Sequence, residues 1–208
     1  MPMLDLEAFS AVALARDPFP YLIVPGFLRP EARAAVNGDY PDIARPGSFP
    51  TTELTYGPGF AALLDELRGP ALRAAFEAKF EIDLSGRPTI VTVRGRAQAK
   101  DGRIHADSKS KILTVLLYMN PKWEEAGGRL RLLHGPESLD DMAAEVPPDE
   151  GTLVAFLVTP RSWHGHGRFV GPRRVVQLNW VTGEEVVRRE EGRHRFSARM
   201  KKLFRFAS

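Results

Sequence analysis

The chain contains no cysteine among its 208 residues. That absence removes disulfides, thiolate nucleophiles, iron–sulfur clusters and cysteine-bound zinc together. Any metal must sit on His, Asp or Glu, and there are only five histidines. Long apolar runs are missing too. Apolar residues make up 43% of the sequence, yet none of their runs approaches the ~18 positions of a spanning helix. The opening Met1-Pro2-Met3-Leu4-Asp5 lacks the basic region and apolar stretch of a secretory signal. Together these features lead us to expect a cytoplasmic protein. Excess charge is small, with a net of +3, and most of it is terminal: Arg188 to Arg205 holds eight Lys/Arg against two Glu. The rest is near neutral, which argues against a broad phosphate-gripping surface and makes nucleic acid an unexpected partner.

What is present fits one domain spanning 1–208. A chain of this length buries roughly 70% of its unfolded surface on folding. Helical support is expected over 1–87, a β core over 88–181 and a helical tail over 182–208. Phe19 to Val24 reads as a strand, and Pro30 opens a helix through Val36, proline being tolerated in a first turn. Residues 41–59, rich in Pro, Gly, Ser and Thr, read as a long loop. Gly59 to Phe80 has helical spacing and is divided into two helices at Gly69-Pro70. After Pro88 the chain turns to Val, Ile, Leu and aromatic segments: 89–93, 112–119, 130–133, 152–158 and 175–181. Helices followed by strands suggest an antiparallel double sheet with helices outside it.

The segment His105-Ala106-Asp107 sets an imidazole and a carboxylate two residues apart, on the same side of an extended backbone. A further imidazole follows 59 positions later, in Ser162-Trp163-His164-Gly165-His166. Two histidines and one carboxylate on one face of an iron(II) ion make a facial triad with open positions for oxygen and a co-substrate. A lone His-x-Asp is weak evidence, because such triplets also merely link loops. His164 and His166 beside Trp163 equally suit a surface turn. The order and separation of the three candidates raise their weight.

The surrounding motifs carry a resemblance. His105-Ala106-Asp107, then Thr114 to Tyr118-Met119-Asn120-Pro121-Lys122-Trp123, then Gly127-Gly128-Arg129-Leu130-Arg131, resemble prolyl-hydroxylase-type 2-oxoglutarate/Fe(II) dioxygenases. In that family an HxD strand precedes a TxxxYLNxxW strand and a GGxLR hairpin. Gly151 before an apolar strand, then Ser162-Trp163-His164 and Arg174, matches the family's later segment. The resemblance covers roughly 88 to 181.

It implies a mainly β fold with flanking helices, a double-stranded β-helix (a jelly roll, cupin-like). It also implies Fe(II) on His105, Asp107 and His164, with 2-oxoglutarate as co-substrate and O2 as oxidant. Arg174 would pair with the distal carboxylate of 2-oxoglutarate, as a guanidinium fork suits a carboxylate, and Tyr118 would hydrogen-bond it. His166 competes with His164 as ligand and is disfavoured because His164 follows Ser162 in the family's pattern. Arg173 competes with Arg174, which is preferred because it precedes Trp180 by six positions. Arg174, Val176, Leu178 and Trp180 would then share one inward face. The intact Asp107 favours hydroxylation over halogenation.

The expected reaction hydroxylates a small molecule or protein side chain and releases succinate and CO2; no general base is required. The alternatives are a zinc-dependent or a non-catalytic metal-binding jelly roll. At the end of the chain, Phe196, Met200, Leu203, Phe204 and Ala207 alternate with basic residues as in a basic amphipathic helix. Such a helix either packs on the sheet, which is favoured, or docks on an anionic membrane or acidic partner.

Overall fold

The structure, a computed structural model, describes residues 2–190 and 192. The expected basic helix from Ser197 lies outside the described residues. The chain order is α1 (Leu6–Ala11), β1 (Tyr21–Val24), α2 (Pro30–Gly38), β2 (Phe49–Pro50), a 3-10 turn (Thr51–Glu53), α3 (Pro58–Arg68) and α4 (Pro70–Phe80). Seven strands follow: β3 (Thr89–Ala97), β4 (Lys111–Tyr118), β5 (Leu130–Leu133), β6 (Met142–Val146), β7 (Leu153–Leu157), β8 (His164–His166) and β9 (Gly171–Val181). Residues 184–190 are helical.

Helices α3 and α4 follow directly from the sequence. Each has proline in its first turn, and Gly69 between them is extended (φ −70°, ψ 156°), as a residue before proline is pushed to be. Phe60, Leu63, Leu64 and Leu67 make the buried stripe of α3, and Leu72, Phe76 and Phe80 that of α4. These are the i, i+3, i+4 and i+7 positions of one helical face in α3 and the i, i+4 and i+8 positions in α4. Helix α1 was not expected: it has only six residues, too few to display a period, and is held by the Asp5 side chain accepting from the Ala8 amide. Within the expected loop 41–59, β2 pairs with β3 and α3 begins at Pro58.

The strands form two antiparallel sheets, one ordered β1-β7-β4-β9-β3-β2 and the other β6-β5-β8. The larger sheet is covered on both faces, which explains its nearly continuous apolar strands. On one face Leu113, Val115, Leu117, Val176, Leu178 and Trp180 pack on the helices. On the other, Tyr118, Val154, Phe156 and Val175 meet Leu130, Leu132 and Val146 of the smaller sheet. This is the double-stranded β-helix, with helices outside its larger sheet. Strands β6 and β8 were missed, β6 because Met-Ala-Ala-Glu-Val has a largely exposed pattern, and β8 because three residues show no period.

Candidate metal centre

His105 lies between β3 and β4, and His164 opens β8. An isolated antiparallel bridge joins the two. Asp107 follows His105 just before β4. One ligand atom from each of these three side chains lies within 4.8 Å of the other two. Nδ1 of His105 is 2.9 Å from the Arg103 carbonyl, and Nδ1 of His164 is 2.9 Å from the Ser162 carbonyl. A carbonyl only accepts, so each Nδ1 carries the proton and each Nε2 keeps its lone pair for a cation. The Thr114 hydroxyl donates to Asp107 Oδ2 at 2.6 Å, and Lys111 Nζ donates to Oδ1 at 2.8 Å.

Protonation suits a divalent cation. Burial, reinforced by His105, pushes His164 down to about 4, so its ring is neutral near pH 7. Burial alone would raise Asp107, but Lys111 and His164, with the hydrogen bonds from Lys111 and Thr114, hold it below the usual carboxylate range. Two imidazoles, that of His164 neutral, and one ionised carboxylate fit the donor set of Fe(II). His166 is outside this cluster. Its Nδ1 is 2.8 Å from the Gly167 carbonyl, and its ring rests against Gly102, where an added Cβ would lie 2.4 Å from Nδ1. Gly102 also has φ +86°, a conformation that disfavours a side chain independently of the clash.

A cavity of about 230 Å³ opens beside the triad. Tyr118 and Arg173, both buried, also line it, with an Arg173 amino group 3.4 Å from the Tyr118 hydroxyl and the guanidinium 5.3 Å from the ring centroid. Burial pushes the Tyr118 hydroxyl pKa up, so it stays protonated. Gly128 fixes Arg173 by accepting from its Nε at 2.9 Å. Arg94, beside a register shift in β3, adds a second guanidinium, which donates to Asp101 at 2.9 Å and Ser48 at 3.1 Å.

The expectation that Arg174 reaches this cavity needs correction. Side chains alternate along β9, and Arg173, Val175 and Gln177 face the cavity. Arg174 lies on the opposite face, exposed, with its guanidinium 5.0 Å over the Tyr40 ring. Val176, Leu178 and Trp180 do share a buried face, but it is the helix-covered one. From Val175 onward both faces of β9 are largely buried, so an inward-pointing tryptophan does not identify the barrel interior. Arg94, Lys111 and Gln177 were not singled out from the sequence. Only Lys111 left a signal there, four residues after Asp107.

The chain is therefore a double-stranded β-helix protein in which two imidazoles and a carboxylate converge as a candidate metal centre. Residues 95–182 match the model of the 2OG-Fe(II) oxygenase superfamily. Members of that superfamily use Fe(II), 2-oxoglutarate and O2. The structure is similar to a Pseudomonas putida prolyl-4-hydroxylase (TM-score 0.56, 17% identity, covering 84% of this chain and 99% of that one). It also resembles the viral collagen prolyl hydroxylase of Paramecium bursaria Chlorella virus-1 in its 2-oxoglutarate complex (TM-score 0.53, 16% identity, 78% and 96%). A third similar structure is an oxidoreductase of the 2OG-Fe(II) oxygenase family from Burkholderia pseudomallei (TM-score 0.55, 13% identity, 85% and 90%). No curated protein matches the chain. Among the described residues, no helix is long and apolar enough to cross a membrane.

Proposed function

We propose that His105, Asp107 and His164 hold the Fe(II), that Arg173 and Tyr118 hold the distal carboxylate of 2-oxoglutarate, and that the product is a hydroxylated peptidyl side chain or small metabolite. The observation that carries this reading is the convergence of the three ligand atoms within 4.8 Å at one wall of a cavity that also holds Arg173 and Tyr118. Bound iron, with O2 and 2-oxoglutarate, supplies the oxidising chemistry and yields succinate and CO2.

The chain's own part is to bind and orient. The Nδ1–H bonds to Arg103 and Ser162 aim the two rings, and Thr114 holds one carboxylate oxygen. The Arg173 guanidinium and the Tyr118 hydroxyl offer donors to a carboxylate, a charge-assisted pairing that fixes the co-substrate's direction. Leu116, Leu130 and Val175 line the same cavity with apolar surface and limit water around it. A second cavity of about 300 Å³ shares His105, Asp107, Lys111 and Gln177 with the first and is the proposed route for substrate. Two of the similar structures are prolyl hydroxylases by name, which makes peptidyl proline the first side chain to test.

The test is succinate formation from 2-oxoglutarate with Fe(II), assayed alone and with peptide and metabolite panels while watching for a mass gain of one oxygen. Activity dependent on Fe(II) and lost in His105→Ala and Asp107→Ala is expected. Undiminished succinate release in either variant would overturn the ligand assignment.

A further inference from the structure

Asp107 already has a cation. Both of its oxygens are engaged by the protein, Oδ2 by the Thr114 hydroxyl at 2.6 Å and Oδ1 by the Lys111 ammonium at 2.8 Å. A divalent cation bound through either oxygen has a second lone pair to share there, so electrostatics rather than valence decides which contact is lost. The two are unequal. Thr114 is buried within β4, and its hydroxyl also lies 3.0 Å from Asn179 Oδ1. The Lys111 side chain is 24% exposed and sits on a flexible four-carbon stem that reorients easily. An ammonium next to a divalent cation is also repelled by it. Lys111 is the partner that leaves.

We propose that Lys111 is the counter-ion of Asp107 only while the centre lacks metal, and that metal loading releases its ammonium as an anchor for a carboxylate on the substrate. The proposal rests on the triad reading above. Lys111 lines both cavities, so it stands at the junction of the co-substrate and substrate spaces. Besides the triad, the charged side chains on the second cavity are Lys111 and Glu190. The first cavity already carries Arg94 and Arg173. Once Asp107 serves the metal, the junction holds a cation whose partner has been taken, and an anionic group is the complement it calls for. Its polar neighbours Ser108, Ser110, Gln177 and Asn179 suit a hydrogen-bonding ligand better than an aliphatic one. Metal occupancy would thus precede substrate recognition.

The experiment uses the full chain with Mn(II), a redox-inert stand-in for Fe(II). Mn(II) affinity is measured for wild type, Lys111→Met, Lys111→Gln and Lys111→Arg. Removing the competing cation should tighten Mn(II) about three- to tenfold in the Met and Gln variants and leave the Arg variant unchanged. With the Mn(II) form saturated in 2-oxoglutarate, proton relaxation of acetate and acetamide methyl groups is then recorded. Acetate should be relaxed by wild type about fivefold more than by Lys111→Gln, as one lost ion pair implies, and acetamide by neither. Weaker or unchanged Mn(II) binding in the Met and Gln variants overturns the counter-ion role. Equal acetate relaxation in wild type and Lys111→Gln overturns the anchor. If wild type itself fails to bind Mn(II), the triad reading fails instead, so the two failures are distinguishable.

Discussion

His105 and His164 hold each other's backbone: the amide of each donates to the carbonyl of the other, at 3.0 and 2.9 Å, and their rings stand 4.3 Å apart. This bridge ties the segment before β4 to the first residue of β8, so ligands 59 positions apart in sequence are pinned at one point. Under the proposed triad, metal binding depends on His164 and not on His166. Replacing His105, Asp107 or His164 by Ala should weaken Fe(II) or Mn(II) by more than about 100-fold, since losing even a supporting residue behind a ligand costs 10–100-fold. His166→Ala should leave metal affinity little changed. Calorimetric titration of the four variants checks this, and a collapse confined to His166→Ala would reverse the assignment.

The two neighbouring arginines separate cleanly. Arg173→Ala should weaken 2-oxoglutarate by about 10- to 100-fold through loss of a charge-assisted bond worth roughly 1.5–3 kcal/mol, with metal affinity kept. Arg174→Ala removes an exposed side chain over Tyr40 and should leave 2-oxoglutarate affinity unchanged. Equilibrium binding of 2-oxoglutarate to the Mn(II) forms gives the answer. A loss seen in Arg174→Ala alone would contradict the orientation of β9.

Acid should destabilise the metal-free fold through two buried histidines. His164 and His166 are each lowered from 6.5 to about 4, both chiefly by burial, with His105 adding to the first and Arg173 to the second. Between those values the unfolded chain takes up protons that the folded chain refuses, so stability falls as pH drops. The loss begins near 6.5 and levels off near 4, at up to about 1.4 kcal/mol per pH unit for each ring. Asp107, lowered in the fold, adds a loss of the same sign at more acid pH. Urea denaturation at pH 7.5, 6 and 5 measures it. A flat profile that acquires no slope below 6.5 would refute the burial of the two rings.

Helical support should be felt in stability even though it touches no ligand. Phe76 of α4 is fully buried and stacks edge-on against Phe9 at 4.9 Å and Trp180 of β9 at 5.4 Å. Phe76→Ala should cost about 3–5 kcal/mol, the usual range for emptying a buried aromatic site. Denaturant unfolding tests it, and a change below about 1 kcal/mol would mean that α4 is not packed on the sheet as described.

The sequence by itself determined whatever depends on local period or spacing. Pro58, Gly69 and Pro70 bound α3 and α4 because backbone restrictions at proline act on adjacent residues alone. The strands expected at 89, 112, 130, 152 and 175 announced themselves through apolar runs that two covered faces require. His105 and Asp107 were legible as a pair because two positions of extended chain bring their side chains to one side. Tertiary structure decided the rest. β6 and β8 exist through pairing with β5, and their own residues encode little of it. The choice of Arg173 over Arg174 was hidden because the apolar residues from Val175 onward cover both faces of β9, so hydrophobicity has no contrast to offer. Arg94 and Gln177 enter the cavity walls from strands distant in sequence, and Lys111 meets Asp107 across a turn. Such positions are set by sheet register, a property of pairs of segments that no single segment carries.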